Sequence, residues 1–118
     1  LSEYPFDSIL DIGCSNGWTV GFFGEHGKRA TGVDVSDVAV ERARQLGRDV
    51  QLASATALSF ADKSFDAVMS TDCFEHLRPQ DTELAIREAC RVARRYLFLT
   101  IHSDRDHDNW WRIVAGMA

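Results

Sequence analysis

The residues best placed to do chemistry in this sequence begin with a short loop, Gly13-Cys-Ser-Asn-Gly17, which follows the apolar run Ile9-Leu10-Asp11-Ile12. Glycine lacks a Cβ, so Gly13 and Gly17 allow positive φ and let a ligand lie directly against the main chain. The residues after Gly17 read as a helix, which aims backbone N–H groups and the positive helix end at whatever sits over the loop. About 20 residues further on, Asp34 closes a second apolar run, where an ionised carboxylate accepts both hydroxyls of a ribose. The loop spacing is Gly-x-Ser-x-Gly rather than Gly-x-Gly-x-x-Gly, so this is a nucleotide-type cradle without the dinucleotide fingerprint.

These groups need a scaffold, and the hydrophobic pattern supplies one. Residues 8–12, 30–35, 50–53, 65–71 and 96–101 read as strands. Between them, 18–23, 36–47 and 79–94 read as helices, with a last helix from Trp110 capped by Asp108 or Asn109. Ser36 is a good N-cap, Val40, Ala43 and Leu46 share one face of the second helix, and Gly47 stops it. Alternating strands and helices predict an α/β fold, a doubly wound, Rossmann-like parallel sheet of about five strands with right-handed crossovers. Ligands of such sheets bind beyond the carboxyl ends of the strands. Asp11, the glycine loop, Asp34, Ser54 and Thr71 all fall at those ends.

At this point the sequence resembles the class I S-adenosylmethionine-dependent methyltransferases. The resemblance runs through Leu10-Asp-Ile-Gly-Cys-Ser-Asn-Gly17, Gly32-Val-Asp-Val-Ser36, Ala55-Thr-Ala-Leu-Ser-Phe60, Phe65-Asp-Ala-Val-Met-Ser70 and Phe74-Glu-His-Leu77, in the family's order. It implies S-adenosylmethionine as cofactor, S-adenosylhomocysteine as product, and a small-molecule acceptor. It also implies cofactor contacts from Asp11, Gly13, Cys14, Ser15, Gly17, Asp34, Val35, Ser54, Ala55 and Thr71. Asp11 would support the loop and meet the methionine end, and Asp34 would hold the ribose. Ser54 stands where many relatives carry an aspartate for the adenine amino group, which leaves more of that task to the Ala55 N–H. Ser15 replaces the family's usual glycine, and a serine is comfortable there at negative φ.

Methyl transfer from a sulfonium is an in-line displacement, so the protein's main work is positioning and desolvation. A hydroxyl acceptor would also need a base. His76 is the candidate, because imidazole is the side chain that ordinarily titrates near neutrality. After the fourth strand the chain reads Ser70-Thr-Asp-Cys73, not the Asn/Asp-Pro-Pro-Tyr of amino-methylating DNA enzymes. The resemblance further implies two strands beyond the fifth. Without them the chain is C-terminally truncated relative to the family, and Tyr96-Leu-Phe-Leu-Thr-Ile101 is an open apolar edge. Further chain, a second copy or another partner is expected to cover it.

Composition narrows the rest. The 118 residues, 45% hydrophobic with 26% charged, fit one domain, 1–118, with no linker or low-complexity stretch. A net charge of −5 argues against nucleic-acid backbones and anionic membranes as partners. No apolar run approaches the roughly 20 residues of a membrane span. Three scattered cysteines suggest neither a disulfide framework nor a metal knuckle, so a reducing, cytoplasmic setting is expected.

Two alternatives stay open. One is a non-catalytic, cofactor-binding or regulatory domain that keeps the fold, in keeping with Ser15 and Ser54. The other rests on Asp72, Glu75 and His76 with His102 or His107, a set that loosely resembles the metal-dependent RNA 2′-O-methyltransferases, although the spacing is shorter and the chain is acidic. The leading reading needs no metal. Arg87, Arg91, Arg94 and Arg95 at helical spacing read as a solvated face beside Glu83 and Glu88, and Trp110-Trp111 as packing for the last helix.

Overall fold

The computed structural model describes residues 5–71, 73–102 and 110–116, with the backbone alone at Glu75 and from residue 101 onward. Five strands run parallel: β1 (Ser8–Ile12), β2 (Arg29–Asp34), β3 (Val50–Leu52), β4 (Phe65–Thr71) and β5 (Ala93–His102). A sixth, β6 (Trp110–Gly116), pairs antiparallel with β5, giving the order β3-β2-β1-β4-β5-β6. The helices are α1 (Trp18–Glu25), α2 (Asp37–Gln45) and α3 (Pro79–Val92), with a 3-10 turn at Phe74–His76. The doubly wound parallel sheet expected from the alternation is therefore present. Among the described residues no helix is long and apolar enough to cross a membrane.

Successive residues of a strand face opposite sides of the sheet, and both sides here are covered. Leu10, Ile12, Val68, Leu97 and Leu99 pack with Ala85, Ala89 and Val92 of α3. On the other side Ile9 and Ala67 meet Phe6 and Phe23, while Val20 of α1 packs with Val40 and Ala43 of α2 and with Val50. The strand order reverses at β1, whose neighbours are β2 and β4, and a crevice opens there at the carboxyl ends. Ser70 Oγ donates to the Ile12 carbonyl at 2.8 Å, which ties the top of β4 to the end of β1 where the glycine loop starts.

Several expectations are overturned. Residues 110–116 form a strand rather than a helix, as their Trp-Trp-Arg-Ile-Val run of aromatic and β-branched residues favours. In consequence β5 is paired on both edges, by β4 and β6, and residues 96–101 are not an open edge needing a second chain. Finally, α3 ends at Val92 and passes directly into β5, so Arg94 and Arg95 belong to a strand, and the four arginines do not share a helix face. In α2, Ser36 caps the helix by accepting the Ala39 N–H at 3.2 Å, and Val40 and Ala43 are buried. Leu46 is the C-cap and stays 45% exposed, outside the buried face expected for it.

Candidate functional site

The glycine loop is built on alternate left-handed residues. Gly13 (φ 75), Ser15 (φ 54) and Gly17 (φ 79) all take positive φ. The Gly13 and Cys14 N–H groups both donate to the Val33 carbonyl, at 2.8 and 3.0 Å, which folds the chain across β2 as it leaves β1. A Cβ on Gly13 would lie 2.8 Å from Cys73 Cβ, and one on Gly17 would lie 2.9 Å from Val50 Cγ2. The absence of a side chain is thus required twice over, by backbone and by space. Serine at 15 enjoys no such freedom. The negative φ expected for it is not what the loop adopts, and a left-handed serine costs about 1 kcal/mol.

Asp34, at the end of β2, holds that serine in place. Its Oδ2 accepts the Ser15 N–H at 2.8 Å and its Oδ1 accepts the Ser36 N–H at 2.9 Å. Each carboxylate oxygen keeps a second lone pair, so the group can still accept hydroxyl donors from the crevice. Asp11, one strand away on β1, is only 6% exposed. Burial, reinforced by the negative charge of Asp34, pushes its carboxyl up from the ordinary 3.8 to about 7.

A cavity of about 310 Å³ opens at this end of the sheet, lined by Gly13, Val33, Asp34, Val35, Ala53, Ser54, Ala55, Cys73, His76 and Leu77. Of the residues singled out from the sequence, Gly13, Asp34, Val35, Ser54, Ala55 and His76 are brought together here. Ser15 and Gly17 shape the loop beside it, and Thr71 ends β4 in an exposed position. Cys14 turns the other way, into the packing of Val20, Val40 and Val50. Burial first, then the charges of Asp11 and Asp34, push its thiol up to about 12, so it remains protonated. Cys73, Leu77, Val33 and Ala53 were not anticipated as lining residues. The first two flank His76 in the Cys73-Phe-Glu-His-Leu77 stretch, which was the available signal.

His76 ends the 3-10 turn after β4 and is exposed on the cavity wall. Among the described residues no group of three or more His, Cys, Asp or Glu could hold a metal ion. Asp72, His107 and the side chains of Glu75 and His102, on which the metal alternative rests, lie outside the described residues.

Residues 53–55 line the cavity, and the chain that continues from them is fastened at 58–62 to α3 through Arg91. Its guanidinium donates to Glu88 (2.8 and 3.1 Å), Asp62 (2.9 Å) and the carbonyls of Phe60 (2.7 Å) and Leu58 (2.9 Å). Glu88 in turn accepts the Leu58 N–H at 2.7 Å. Arg91 is therefore a half-buried hub and not part of a solvated stripe, whereas Arg87 pairs with Glu83 on the surface as expected. Ser54 Oγ is engaged within its own turn, 2.8 Å from Thr56 Oγ1 and accepting the Thr56 N–H at 3.2 Å.

A second cavity, of about 290 Å³, lies at the amino ends of the strands and includes Arg29, Lys63, Asp66 and Arg94. There Asp66 accepts the Asp7 N–H and pairs with Arg94 at 2.7 Å, which holds its carboxyl below the usual range and joins the starts of β1, β4 and β5. Its role is structural.

With this geometry in view, the chain can be set beside known proteins. A family model described as a methyltransferase domain matches residues 10–98. The chain is 35% identical over 103 residues to the O-methyltransferase resE of Aspergillus sclerotiorum, covering 80% of this chain and 38% of that protein. It is 33% identical over 95 residues to norajmaline N-methyltransferase of Rauvolfia serpentina, covering 73% of this chain and 32% of the relative. Among solved structures it resembles the PH0226 protein of Pyrococcus horikoshii, with TM-score 0.81 and 25% identity, over 86% of this chain and 51% of the other. The chain spans about a third to a half of the length of these relatives.

Proposed function

We propose a function for a chain that belongs to the methyltransferase-domain family: it holds S-adenosylmethionine over the glycine loop and passes the methyl group to a small-molecule acceptor, leaving S-adenosylhomocysteine. The observation that carries this reading is the cavity at the reversal point of the sheet, with Asp34 on its wall and Gly13 at its floor. The residues present fit the cofactor. Gly13 lines the cavity with main chain alone, and Asp34 keeps free lone pairs toward the crevice. When bound, the cofactor supplies an activated methyl group on a cationic sulfur.

Each residue then has a task. Asp34 receives the ribose hydroxyls while keeping the loop folded through Ser15. Val35, Ala53 and Leu77 give the cavity an apolar lining that excludes water, and the Ala55 N–H with Ser54 meets the base. Asp11 presents a buried carboxyl behind the loop, suited to a cationic ligand. His76, on the wall, takes a proton from the acceptor if that acceptor is a hydroxyl. The named relatives include both an O- and an N-methyltransferase, and an oxygen acceptor is the reading that gives His76 work. The net charge of −5 favours a small molecule over nucleic acid, and the three scattered cysteines favour a reducing, cytoplasmic setting.

Titration calorimetry of S-adenosylmethionine and S-adenosylhomocysteine into the purified chain tests the cofactor site. Micromolar binding that is lost in Asp34→Ala supports it, and absence of binding to the folded chain rejects it. Transfer of a labelled methyl group to phenolic and amine acceptors, with and without Mg²⁺ and Mn²⁺, then tests the reaction. No turnover by a chain that binds the cofactor would favour the non-catalytic alternative, and turnover only with metal would favour the metal-dependent one.

A further inference from the structure

Behind the glycine loop, on the side away from the cavity, a single arginine occupies the space that two glycines leave empty. Gly47 (φ 75) turns the chain after α2, and the Arg48 N–H returns to the Ala43 carbonyl at 3.0 Å. From that anchor the side chain runs along α1. Its Cδ lies 3.3 Å from the point a Gly17 Cβ would occupy, and its Nε lies 2.7 Å from the corresponding point on Gly21. Residues four apart lie one above the other on a helix, so Gly17 and Gly21 form a continuous trough. At the end of the trough Nη1 donates to the Asn16 carbonyl at 3.1 Å.

That contact completes the fixation of one peptide unit. Between Asn16 and Gly17 the carbonyl is held by Arg48, and the N–H donates to the Cys14 carbonyl at 3.0 Å. The left-handed conformation of Gly17 and the start of α1 are thereby set from behind, while Asp34 sets Ser15 from the front. Helix electrostatics do not account for the arrangement, because a cation beside a helix N-terminus is opposed by the helix dipole. Among the described residues no carboxylate pairs with Arg48, so an ion pair does not account for it either.

We propose that Arg48 is a positioning residue for cofactor binding, a strut that holds the Asn16–Gly17 peptide so that the loop presents its receptive shape; this rests on the reading of the loop as a cofactor cradle. It acts through the loop and touches no reacting atom. The trough makes the idea separable from general stability. Arg48→Met keeps the apolar stem and removes the donor. Gly21→Ala puts a methyl group where Nε lies and displaces the guanidinium, yet replaces a poor helix former with the best one.

The test is calorimetric affinity for S-adenosylhomocysteine alongside the melting midpoint of each variant. Arg48→Met is expected to bind about tenfold more weakly, the equivalent of one hydrogen bond from a charged donor, with its melting midpoint lowered by no more than the few degrees that one exposed hydrogen bond accounts for. Gly21→Ala is expected to lose affinity by a similar factor while melting at the same temperature or higher. A purely structural role would move the two readouts together. Wild-type affinity in Arg48→Met overturns the proposal. If the unmodified chain binds no S-adenosylhomocysteine, the cofactor reading fails on its own. The strut is then judged by amide hydrogen exchange at Gly17 and Gly21 in the ligand-free chain, expected to be faster in Arg48→Met, with unchanged exchange overturning it.

Discussion

The Asp34 carboxylate accepts the Ser15 N–H at 2.8 Å, so the residue read as the ribose acceptor also holds the glycine loop. Its other oxygen accepts the Ser36 N–H at 2.9 Å, one residue before α2. One side chain therefore links the β1 loop, the end of β2 and the cap of α2. Asp34→Asn is expected to do more than remove a charge, because the amide nitrogen cannot accept and must face one of the two N–H donors. Loss of one hydrogen bond to a charged acceptor corresponds to about 1–2 kcal/mol of stability. Chemical denaturation checks that loss. Calorimetry should show cofactor affinity falling by at least about tenfold, since the ribose contact and the loop shape fail together.

Ser15→Gly should act in the opposite direction. Ser15 sits at φ 54, and its role in the loop runs through its backbone N–H, which glycine retains. Relief of the left-handed conformation is expected to stabilise the fold by about 0.5–1 kcal/mol, a rise of roughly 2–4 °C in melting midpoint. Differential scanning calorimetry reads this directly. A lower midpoint would mean that the serine hydroxyl does work that the ligand-free geometry does not reveal.

Much of this was legible in the sequence because local and tertiary signals agreed there. β1 and β4 begin and end where their apolar runs do, and Ser36 caps α2 as its type and position imply. The site could be located because the carboxyl-end rule depends only on strand order, and strand order follows from the alternation of elements. The failures were tertiary. Trp110–Gly116 carries β-formers, but a polar stretch ending in Asp108-Asn109 resembles a helix start, and only pairing with β5 decides between the two. Arg91 sits at surface spacing beside Glu88, and nothing local reveals that residues 58–62 fold back onto it. The left-handed Ser15 was hidden for a related reason. Its conformation is imposed by two neighbouring glycine turns and by Asp34, 19 residues away along the chain.

Asp11 gives the protein a pH dependence whose sign is fixed by the direction of its shift. The carboxyl titrates at about 7 when folded, against 3.8 ordinarily, because it is buried and lies near Asp34. Between those values the folded chain holds a proton that the unfolded chain has released, so stability falls as pH rises from about 4 to 7 and is level above. Asp11→Asn should abolish that slope and make the ligand-free chain more stable at pH 8, by an amount on the order of 4 kcal/mol. Melting curves from pH 4 to 8 would show it. A cationic ligand favours the ionised carboxylate, so affinity for S-adenosylmethionine should rise through pH 7 with release of a proton. Calorimetry in buffers of different ionisation enthalpy counts that proton.

Arg91→Lys tests the hub behind the cavity wall. A guanidinium reaches Glu88, Asp62 and the carbonyls of Leu58 and Phe60 at once, and an ammonium cannot reproduce that fork. At 31% side-chain exposure the network is partly screened, so only a modest lowering of the melting midpoint is expected. The sharper readout is amide exchange at Leu58, whose N–H donates to Glu88. Exchange there should accelerate in the variant while the strands β1 and β4 keep their protection.

Gly13→Ala separates the floor of the cavity from its walls. The substitution meets two obstacles, a φ of 75 and a Cβ position 2.8 Å from both Cys73 Cβ and Cys73 Sγ. Cysteine Cβ is fixed to the backbone and cannot swing aside, so either the β1 loop or the turn after β4 must move, at a cost of about 2–3 kcal/mol. Cys73→Ala in the same chain should not rescue it, because the Cβ remains. Cys73→Gly should recover the steric part and leave the backbone strain. If Gly13→Ala alone melts like the parent, the loop and the turn are not packed as described, and the cavity would lose its floor. The double-variant comparison by denaturant titration therefore measures how firmly the residues that carry His76 are pressed against the loop that would carry the cofactor.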